Sequence, residues 1–297
     1  MSSSTGGCSR GRSAVDPVSP TIYRQGDVLG YLFGVQSPSR FDLAVAVSRR
    51  RATTIGAVAA FVIGAVVAIA VSIVIGVVIL VVAAAAWVLW VQSMFAAAHG
   101  RVVDGLGAEP AGIDDEPALH EALANVALQT GVAHPEVRVV RNDAANAMVA
   151  ADGDTVTVVV TSGLLSDVRW IELEVVAAEL LCRVRDGSAR LGTLAAGLPG
   201  WLASLSGLSA GPMASVLGDQ RATLADLEAV GVTRYPPALI ATLERMEIRG
   251  TLLGSVAPAT APLWIAPAVG PDQGVDPAVD ETANQPLDYR IAVLREL

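Results

Sequence analysis

Residues 174–186 read EVVAAELLCRVRD, and the spacing of the apolar residues around them predicts a helix over Ile171–Val184. Glu179 lies in the middle of this helix, four residues before Arg183. Two interpretations of Glu179 are open. In the first it forms an i, i+4 ion pair with Arg183, contributing about 0.2–0.5 kcal/mol. In the second it is a buried carboxylate, hydrogen-bonded to its surroundings. Cys182 is expected to act as a small apolar residue in the core.

The sequence before this helix predicts a further helix and two β-strands. Helical spacing of apolar residues predicts a helix over Pro117–Thr130. Runs of β-branched residues predict strands over Val137–Val140 and Val156–Thr161. The dipeptide Asp152-Gly153 indicates a hairpin turn just before the second strand. The predicted fold class is therefore α+β and mainly helical, with a small β-sheet beside the helix that contains Glu179.

A long apolar run precedes these elements. Residues 52–98 form 47 consecutive positions without a charged side chain. As one helix this run would extend about 70 Å, more than twice the roughly 30 Å of a membrane's hydrocarbon core. We therefore expect a transmembrane helical hairpin over residues 49–100, with the reversal near Ser72 and Gly76, whose helix propensities are low.

Basic residues on both sides of the apolar run predict its orientation. Arg49, Arg50 and Arg51 precede it and Arg101 follows it, whereas the expected tip of the hairpin carries no basic residue. Because basic residues are enriched on the cytoplasmic side, both termini and the main domain are expected in the cytoplasm.

Composition agrees with a membrane protein and narrows the choice of partners. Hydrophobic residues make up 53% of the chain and charged residues 16%, more apolar than an ordinary soluble protein. The net charge of -9 argues against a nucleic-acid partner. Cys8 and Cys182 give no disulfide framework and fit a reducing compartment.

Two further segments have unusual composition. Residues 1–48 are assigned to a disordered, cytoplasmic N-terminal segment, because their first 20 residues are rich in Ser, Gly and Pro. Residues 191–218 carry no charge but contain several glycines and prolines. This composition predicts an interfacial or re-entrant segment covered by protein.

The helix around Glu179 has the spacing of a degenerate H-E-x-x-H motif. In that motif two histidines at i and i+4 bind zinc, and the glutamate after the first is the general base for the metal-bound water. Here Ala178 and Cys182 stand at the two histidine positions, and Glu179 is retained.

Several blocks in order resemble the HtpX family of integral-membrane zinc metallopeptidases, relatives of the prenyl-protein endopeptidases. The resemblance covers roughly residues 50–297, and the helix block matches it at Leu173, Val176, Glu179 and Asp186. The other blocks are NDAANAM (142–148), TVVVTSGLLSDV (157–168), RATLADLEAVGVTRYPPALIATLERM (221–246) and NQPLDYRIAVLREL (284–297).

The resemblance implies a zincin-like peptidase domain over residues 101–297 and a bacterial-type plasma membrane location. The family's third zinc ligand, a glutamate, falls on Ala222, next to the matching Arg221. Asp186 and Asp226 match family positions outside the metal shell and are expected to make structural hydrogen bonds or pair with nearby arginines.

The same resemblance places a substrate-binding edge strand at Asn146, Ala147 and Met148. An extended peptide could add to such an edge through main-chain hydrogen bonds.

Replacement of all three ligand positions argues against the zinc that the family implies. Alanine has no donor atom, and a catalytic zinc needs three protein ligands. The chain's three histidines, His99, His120 and His134, include no pair at i, i+3 or i, i+4. No cofactor is therefore expected.

Three functions remain open. The first is a membrane-anchored pseudopeptidase that binds unfolded or membrane protein segments without cutting them. The second is an active membrane metalloendopeptidase with an altered site, and the third is a paralogue without selected activity.

Overall fold

The architecture is mainly helical, with one small sheet. A computed structural model describes residues 40–70, 73–166, 168–218, 220–254, 256–270, 274 and 285–297. Its helices are α1 (Arg40–Ala70), α2 (Ile73–Ala96), α3 (Ala98–Asp104), α4 (Pro117–Thr130), α5 (Ser162–Leu165), α6 (Trp170–Arg185), α7 (Ser188–Gly197), α8 (Gly200–Ser206), α9 (Ala210–Leu217), α10 (Arg221–Thr233), α11 (Pro236–Arg249) and α12 (Leu287–Leu294), with a 3-10 helix at Pro258–Leu263. Its strands are β1 (Glu109–Pro110), β2 (Glu136–Val140), β3 (Ala147–Asp152) and β4 (Thr155–Thr161).

The sheet is mixed and four-stranded, in the order β1-β2-β4-β3. Strands β2 and β4 pair in parallel, whereas β3 pairs with β4 as an antiparallel hairpin. Asp152 pairs with Thr155 across a two-residue turn, in which Gly153 has a φ of 60°. This left-handed conformation favours glycine, so the predicted turn is confirmed. Both predicted strands and the α+β class are likewise confirmed, and β3 lies at the sheet edge.

Helix α6, the helix of the degenerate motif, is the buried centre of the domain. Its side chains from Val175 to Cys182 have at most 1% exposure. At its first turn Glu172 accepts a hydrogen bond from the backbone N–H of Arg169 and so caps the helix. The helix ends at Asp186, where Gly187 takes a left-handed φ of 86°. Helix α6 packs against α4 and α10, which brings the expected ligand positions into one layer.

Helices α1 and α2 pack against each other in antiparallel directions. A side chain at Gly56 would collide with Trp87, and one at Gly64 would collide with Leu80. These two glycines therefore permit the close approach of the helices. Among the described residues, one stretch, Val74–Asp104, is long and apolar enough to cross a membrane. A second crossing stays a prediction.

The limits of this helix pair differ from the predicted ones. Helix α1 begins at Arg40, nine residues before the expected start at 49, because its first turns bury Phe41 and Val45 against the domain. Gly76 lies in the first turn of α2, which begins at Ile73, so Gly76 itself is helical. Ser72 lies outside the described residues, as do residues 1–39.

The uncharged segment 191–218 folds as the end of α7 followed by two short helices. Pro199 begins α8 and Gly207 ends it with a φ of 77°. Leu191, Leu194 and Leu202 are fully buried in a cluster that includes residues of α1 and α2. Trp201 of the same segment is 53% exposed, and the interfacial or re-entrant character of the segment stays a prediction.

Candidate functional site

Glu179 is a fully buried carboxylate with 0% exposure. Its Oε1 accepts hydrogen bonds from Arg183, one turn along α6, and from Nη2 of Arg290 on α12 at 3.4 Å. Its Oε2 has no hydrogen-bond partner among the described residues. Burial raises the pKa of Glu179, and the positive charges of Arg183 and Arg290 partly oppose that rise. Both sequence-based interpretations are therefore partly correct, because the i, i+4 pair exists and is buried.

Arg290 is the central cation of this site. Its guanidinium has 0% exposure and lies between Glu179 and Asp226. Its Nε and Nη2 donate to the two carboxylate oxygens of Asp226 at 2.7 and 2.6 Å, a bidentate pairing. Burial lowers the pKa of Arg290, but the charges of Asp226 and Glu179 outweigh it and raise that pKa above its ordinary value. Arg290 is therefore a permanent positive charge in the core.

Arg183 and Arg290, together with Asn146, donate hydrogen bonds to three consecutive backbone carbonyl groups. Arg183 donates to the oxygen of Trp264 at 2.9 Å, and Arg290 donates to that of Ile265 at 2.6 Å. The Asn146 side-chain amide donates to the oxygen of Ala266 at 2.9 Å. The backbone of the segment Trp264–Ala266 is thus fixed by side-chain hydrogen bonds, two of which come from the arginines that contact Glu179.

Curated proteins named "Protease HtpX homolog" match this chain. The homologue of Tropheryma whipplei (strain Twist) is 29% identical over 54% of this chain and 66% of its own length. That of Pyrococcus abyssi is 28% identical over 62% of this chain and 74% of its own length. That of Dictyoglomus thermophilum is 26% identical over 61% of this chain and 70% of its own length.

The chain is HtpX-like. It spans just under two thirds of the Tropheryma whipplei relative, with 66% of that protein matched. No family model and no solved structure matches the chain.

The zinc-ligand positions implied by the HtpX resemblance do not fit a metal. Ala178 and Cys182 lie one turn apart on α6, and Ala222 lies in the first turn of α10, which packs against α6. All three have at most 1% exposure. The two alanines offer no donor atom, and burial raises the pKa of the Cys182 thiol to about 11. Glu179, the one retained residue of the motif, is ion-paired with Arg183 and Arg290.

The three histidines do not replace these ligands. The rings of His120 and His134 stack with centroids 5.9 Å apart, and His120 Nε2 lies 3.0 Å from the oxygen of Ala111. Within the described part of the chain, no cluster of three or more His, Cys, Asp or Glu side chains could hold a metal ion. The stacked histidine pair was not foreseen, because the two residues are distant in sequence.

The predicted substrate edge is covered by the chain itself. Asn146, Ala147 and Met148 all have 0% exposure. Met148 forms an antiparallel bridge with Trp264, and the N–H of Ile265 donates to the oxygen of Ala147 at 2.9 Å. The strand lies at the sheet edge, and residues 264–265 pair with it in the observed conformation. Binding of a substrate at this edge stays a prediction.

The two aspartates at positions that match the family pattern, Asp186 and Asp226, make hydrogen bonds and ion pairs within the fold. Asp226 pairs with Arg290, as described. Asp186 accepts from the N–H of Ser188 at 2.8 Å and pairs with Arg221 at 2.6 Å. The expectation of structural hydrogen bonds is confirmed, although the arginine partner comes from α10 rather than from the neighbouring turns of α6.

Sequence reasoning missed the two groups that shape this site. Arg290 matched the family pattern as part of the closing block, but nothing in the sequence linked it to Glu179, 111 residues away. Trp264 lies outside every block of the resemblance. The signals available were Arg290 in the closing block and the apolar run around Trp264, neither of which indicates a partner.

Proposed function

We propose that this chain is a membrane-anchored, non-catalytic HtpX-like homologue, a pseudopeptidase that binds protein segments without cutting them. The observation that carries the proposal is the Arg290 guanidinium between Glu179 and Asp226. A general base needs a carboxylate that can reach water, and Glu179 is buried and ion-paired. Arg290 supplies a positive charge between Glu179 and Asp226, but a guanidinium group cannot lower the pKa of a bound water molecule as zinc does.

Binding of a partner would use the same edge strand, β3. The internal segment Trp264–Ala266 supports this proposal, because it bridges to β3 at Met148 and three of its backbone carbonyl groups accept hydrogen bonds from Arg183, Arg290 and Asn146. A partner peptide would replace this segment and form equivalent main-chain hydrogen bonds. We infer unfolded or membrane protein segments as partners, because an edge strand recognises backbone more than side chains.

Location at a bacterial-type plasma membrane, with both termini and the main domain in the cytoplasm, belongs to the same proposal. The apolar stretch Val74–Asp104 supports it, as do the arginines at the start of the apolar run in α1. Fractionation of expressing cells tests the location: recovery in the membrane pellet after a carbonate wash is expected, and recovery in the soluble fraction would contradict it.

The decisive test of the function is cleavage of an unfolded substrate such as casein. The detergent-purified protein, with and without added Zn²⁺, is expected to cleave no faster than its Glu179→Gln variant. Zinc-dependent cleavage that is lost in Glu179→Gln would overturn the proposal. It would favour the second candidate, an active metalloendopeptidase with an altered site. The name of the relatives, protease HtpX homologue, is consistent with that candidate.

A restored variant tests the assignment of the ligand positions. In the triple variant Ala178→His, Cys182→His, Ala222→Glu, combined with Arg290→Gln to remove the opposing charge, zinc binding is expected. A folded variant that binds no zinc would show that the three positions do not face a common point.

A further inference from the structure

An open cavity of about 400 Å³ lies where the helix pair meets the domain. It is lined by residues of α1 between Asp42 and Thr53, by Gln92 of α2 and by Arg190 of α7. Along α1, exposed apolar side chains follow directly after Thr53, the last residue that lines the cavity: Ile55 is 44% and Val58 58% exposed. The cavity therefore opens at the boundary between the charged domain and the apolar helices.

Three tryptophans mark the same boundary. Trp87 Nε1 donates to the oxygen of Ala52 at 3.3 Å, one residue after the last of the three consecutive arginines. The ring of Trp90 lies 5.3 Å from that of Trp87 and stacks on that of Trp201 at 5.5 Å. Tryptophan is enriched at the interface between lipid headgroups and acyl chains. The cavity and the tryptophans thus lie at one level of the helix pair.

The cavity is strongly basic in an acidic protein. Among the described residues that line it, Arg49, Arg50 and Arg190 carry positive charge and Asp42 alone carries negative charge, whereas the whole chain has a net charge of -9. Every one of the chain's 20 basic residues is an arginine. A guanidinium group presents parallel N–H donors that match the oxygens of a phosphate group.

These arginines are only weakly engaged by protein groups. Arg190 lies 3.6 Å from Asp42 and 3.5 Å from Asp152, near the outer limit of an ion pair. The guanidinium of Arg49 lies 5.3 Å from the ring centre of Phe95, and its buried Nε has no hydrogen-bond partner among the residues that the structure describes. Arg50 is exposed and forms no ion pair with any described residue. Their donors are therefore available to an oxygen-rich anion.

We propose that this cavity binds the phosphate group of an anionic membrane lipid through Arg49, Arg50 and Arg190. The acyl chains would extend along the exposed apolar faces of α1 and α2, and Gln92 and Thr53 lie within the polar lining. A basic pocket at the cytoplasmic end of membrane helices is suited to anionic headgroups. The inference goes beyond the proposed function and uses only its membrane placement.

Native mass spectrometry of the full chain in detergent tests the proposal. Titration with phosphatidylglycerol is expected to give one tightly bound lipid, with affinity about tenfold or more above that for phosphatidylcholine. The double variant Arg49→Gln, Arg190→Gln is expected to lose this preference. The single variant Arg50→Gln, at an exposed position, is expected to weaken it and provides a second readout if the double variant folds poorly.

Arg141→Gln is the matched control, because Arg141 is 82% exposed and pairs with Glu109 away from the cavity. It removes one positive charge and is expected to leave lipid binding unchanged. Equal binding of both lipids, or equal loss in Arg141→Gln, would overturn the proposal. Competition by millimolar inorganic phosphate as effective as phosphatidylglycerol would assign the site to a soluble phosphate and overturn the lipid. None of these outcomes changes the cleavage result, so the two proposals fail separately.

Discussion

Two arginine clusters of this protein use the same side chain in opposite ways. In the cluster around Glu179, both arginines are buried. Arg183 donates to the backbone oxygen of Trp264 at 2.9 Å. Arg290 donates to the backbone oxygen of Ile265 and to the Asp226 carboxylate, each at 2.6 Å. At the cavity beside the helix pair, Arg190 has carboxylate partners at 3.5 Å or more. In the observed conformation, Arg183 and Arg290 are paired with carboxylates and with a segment of the chain itself. At the cavity, the carboxylate partners of Arg190 are more distant.

This difference indicates which cluster could bind a ligand without displacing a segment of the chain. A buried guanidinium held by two carboxylates stabilises the fold only as long as every partner remains, because an uncompensated buried charge is costly. An exposed guanidinium with distant partners contributes little to stability, since solvent screens it. Substitutions in the two clusters should therefore have very different effects on unfolding.

The largest effect is expected from Arg290→Gln. This change leaves Asp226 and Glu179 buried without their shared cation, so the free energy of unfolding should fall by about 3–5 kcal/mol. Urea denaturation followed by circular dichroism measures it. Arg295→Gln is the matched control on the same helix: Arg295 is 63% exposed and pairs with Glu244, so its loss should cost less than about 1 kcal/mol. Equal effects of the two variants would contradict the central role of Arg290.

A smaller loss is expected from Asn146→Ala. The Asn146 side chain donates to the oxygens of Thr251 and Ala266, at 3.1 and 2.9 Å, and its removal leaves buried acceptors without a donor. The cost should be about 1–3 kcal/mol. The change should also loosen the segment at Trp264, which faster amide hydrogen exchange at residues 264–266 would reveal.

The control for this variant is Gln129→Ala, on the exposed side of α4. A surface substitution of this kind should change stability by less than about 0.5 kcal/mol. Unchanged hydrogen exchange at residues 264–266 in Asn146→Ala would show that Asn146 does not hold the segment.

Alkylation of Cys182 probes the same buried region chemically. Because burial raises the pKa of this thiol to about 11, few molecules carry the reactive thiolate at pH 8. In a Cys8→Ser background, iodoacetamide should label the native protein slowly and the urea-unfolded protein fast. Fast labelling of the native protein would mean that the region around α6 is open to solvent.

The smallest effect on stability is expected at the cavity. Arg190 is 29% exposed and its two carboxylates are distant, so Arg190→Gln should lower the free energy of unfolding by less than about 1 kcal/mol. If Arg190→Gln lowered the free energy of unfolding as much as Arg290→Gln, the two clusters would not differ in their contribution to stability.

The sequence predicted the local elements well and the long-range contacts poorly. Helix α4, the strands β2 and β4 and the turn at Gly153 follow from the periodicity of neighbouring residues and from glycine's tolerance of positive φ. The replaced ligand positions follow from the resemblance to the HtpX family and stay a prediction. The contact of Arg290 with Glu179 could not be predicted, because it depends on how α12 packs on α6. The cover of β3 by Trp264 also depends on tertiary packing and leaves no periodic signal.

Bound zinc per chain tests most directly whether Arg290 stands in place of a metal. The detergent-purified protein is incubated with excess Zn²⁺, exchanged into metal-free buffer and analysed by inductively coupled plasma mass spectrometry. Wild type is expected to retain far less than one zinc per chain, at the same level as its Cys182→Ala variant. One zinc per chain in wild type, lost in Cys182→Ala, would contradict the assignment of Arg290 as the cation of this site.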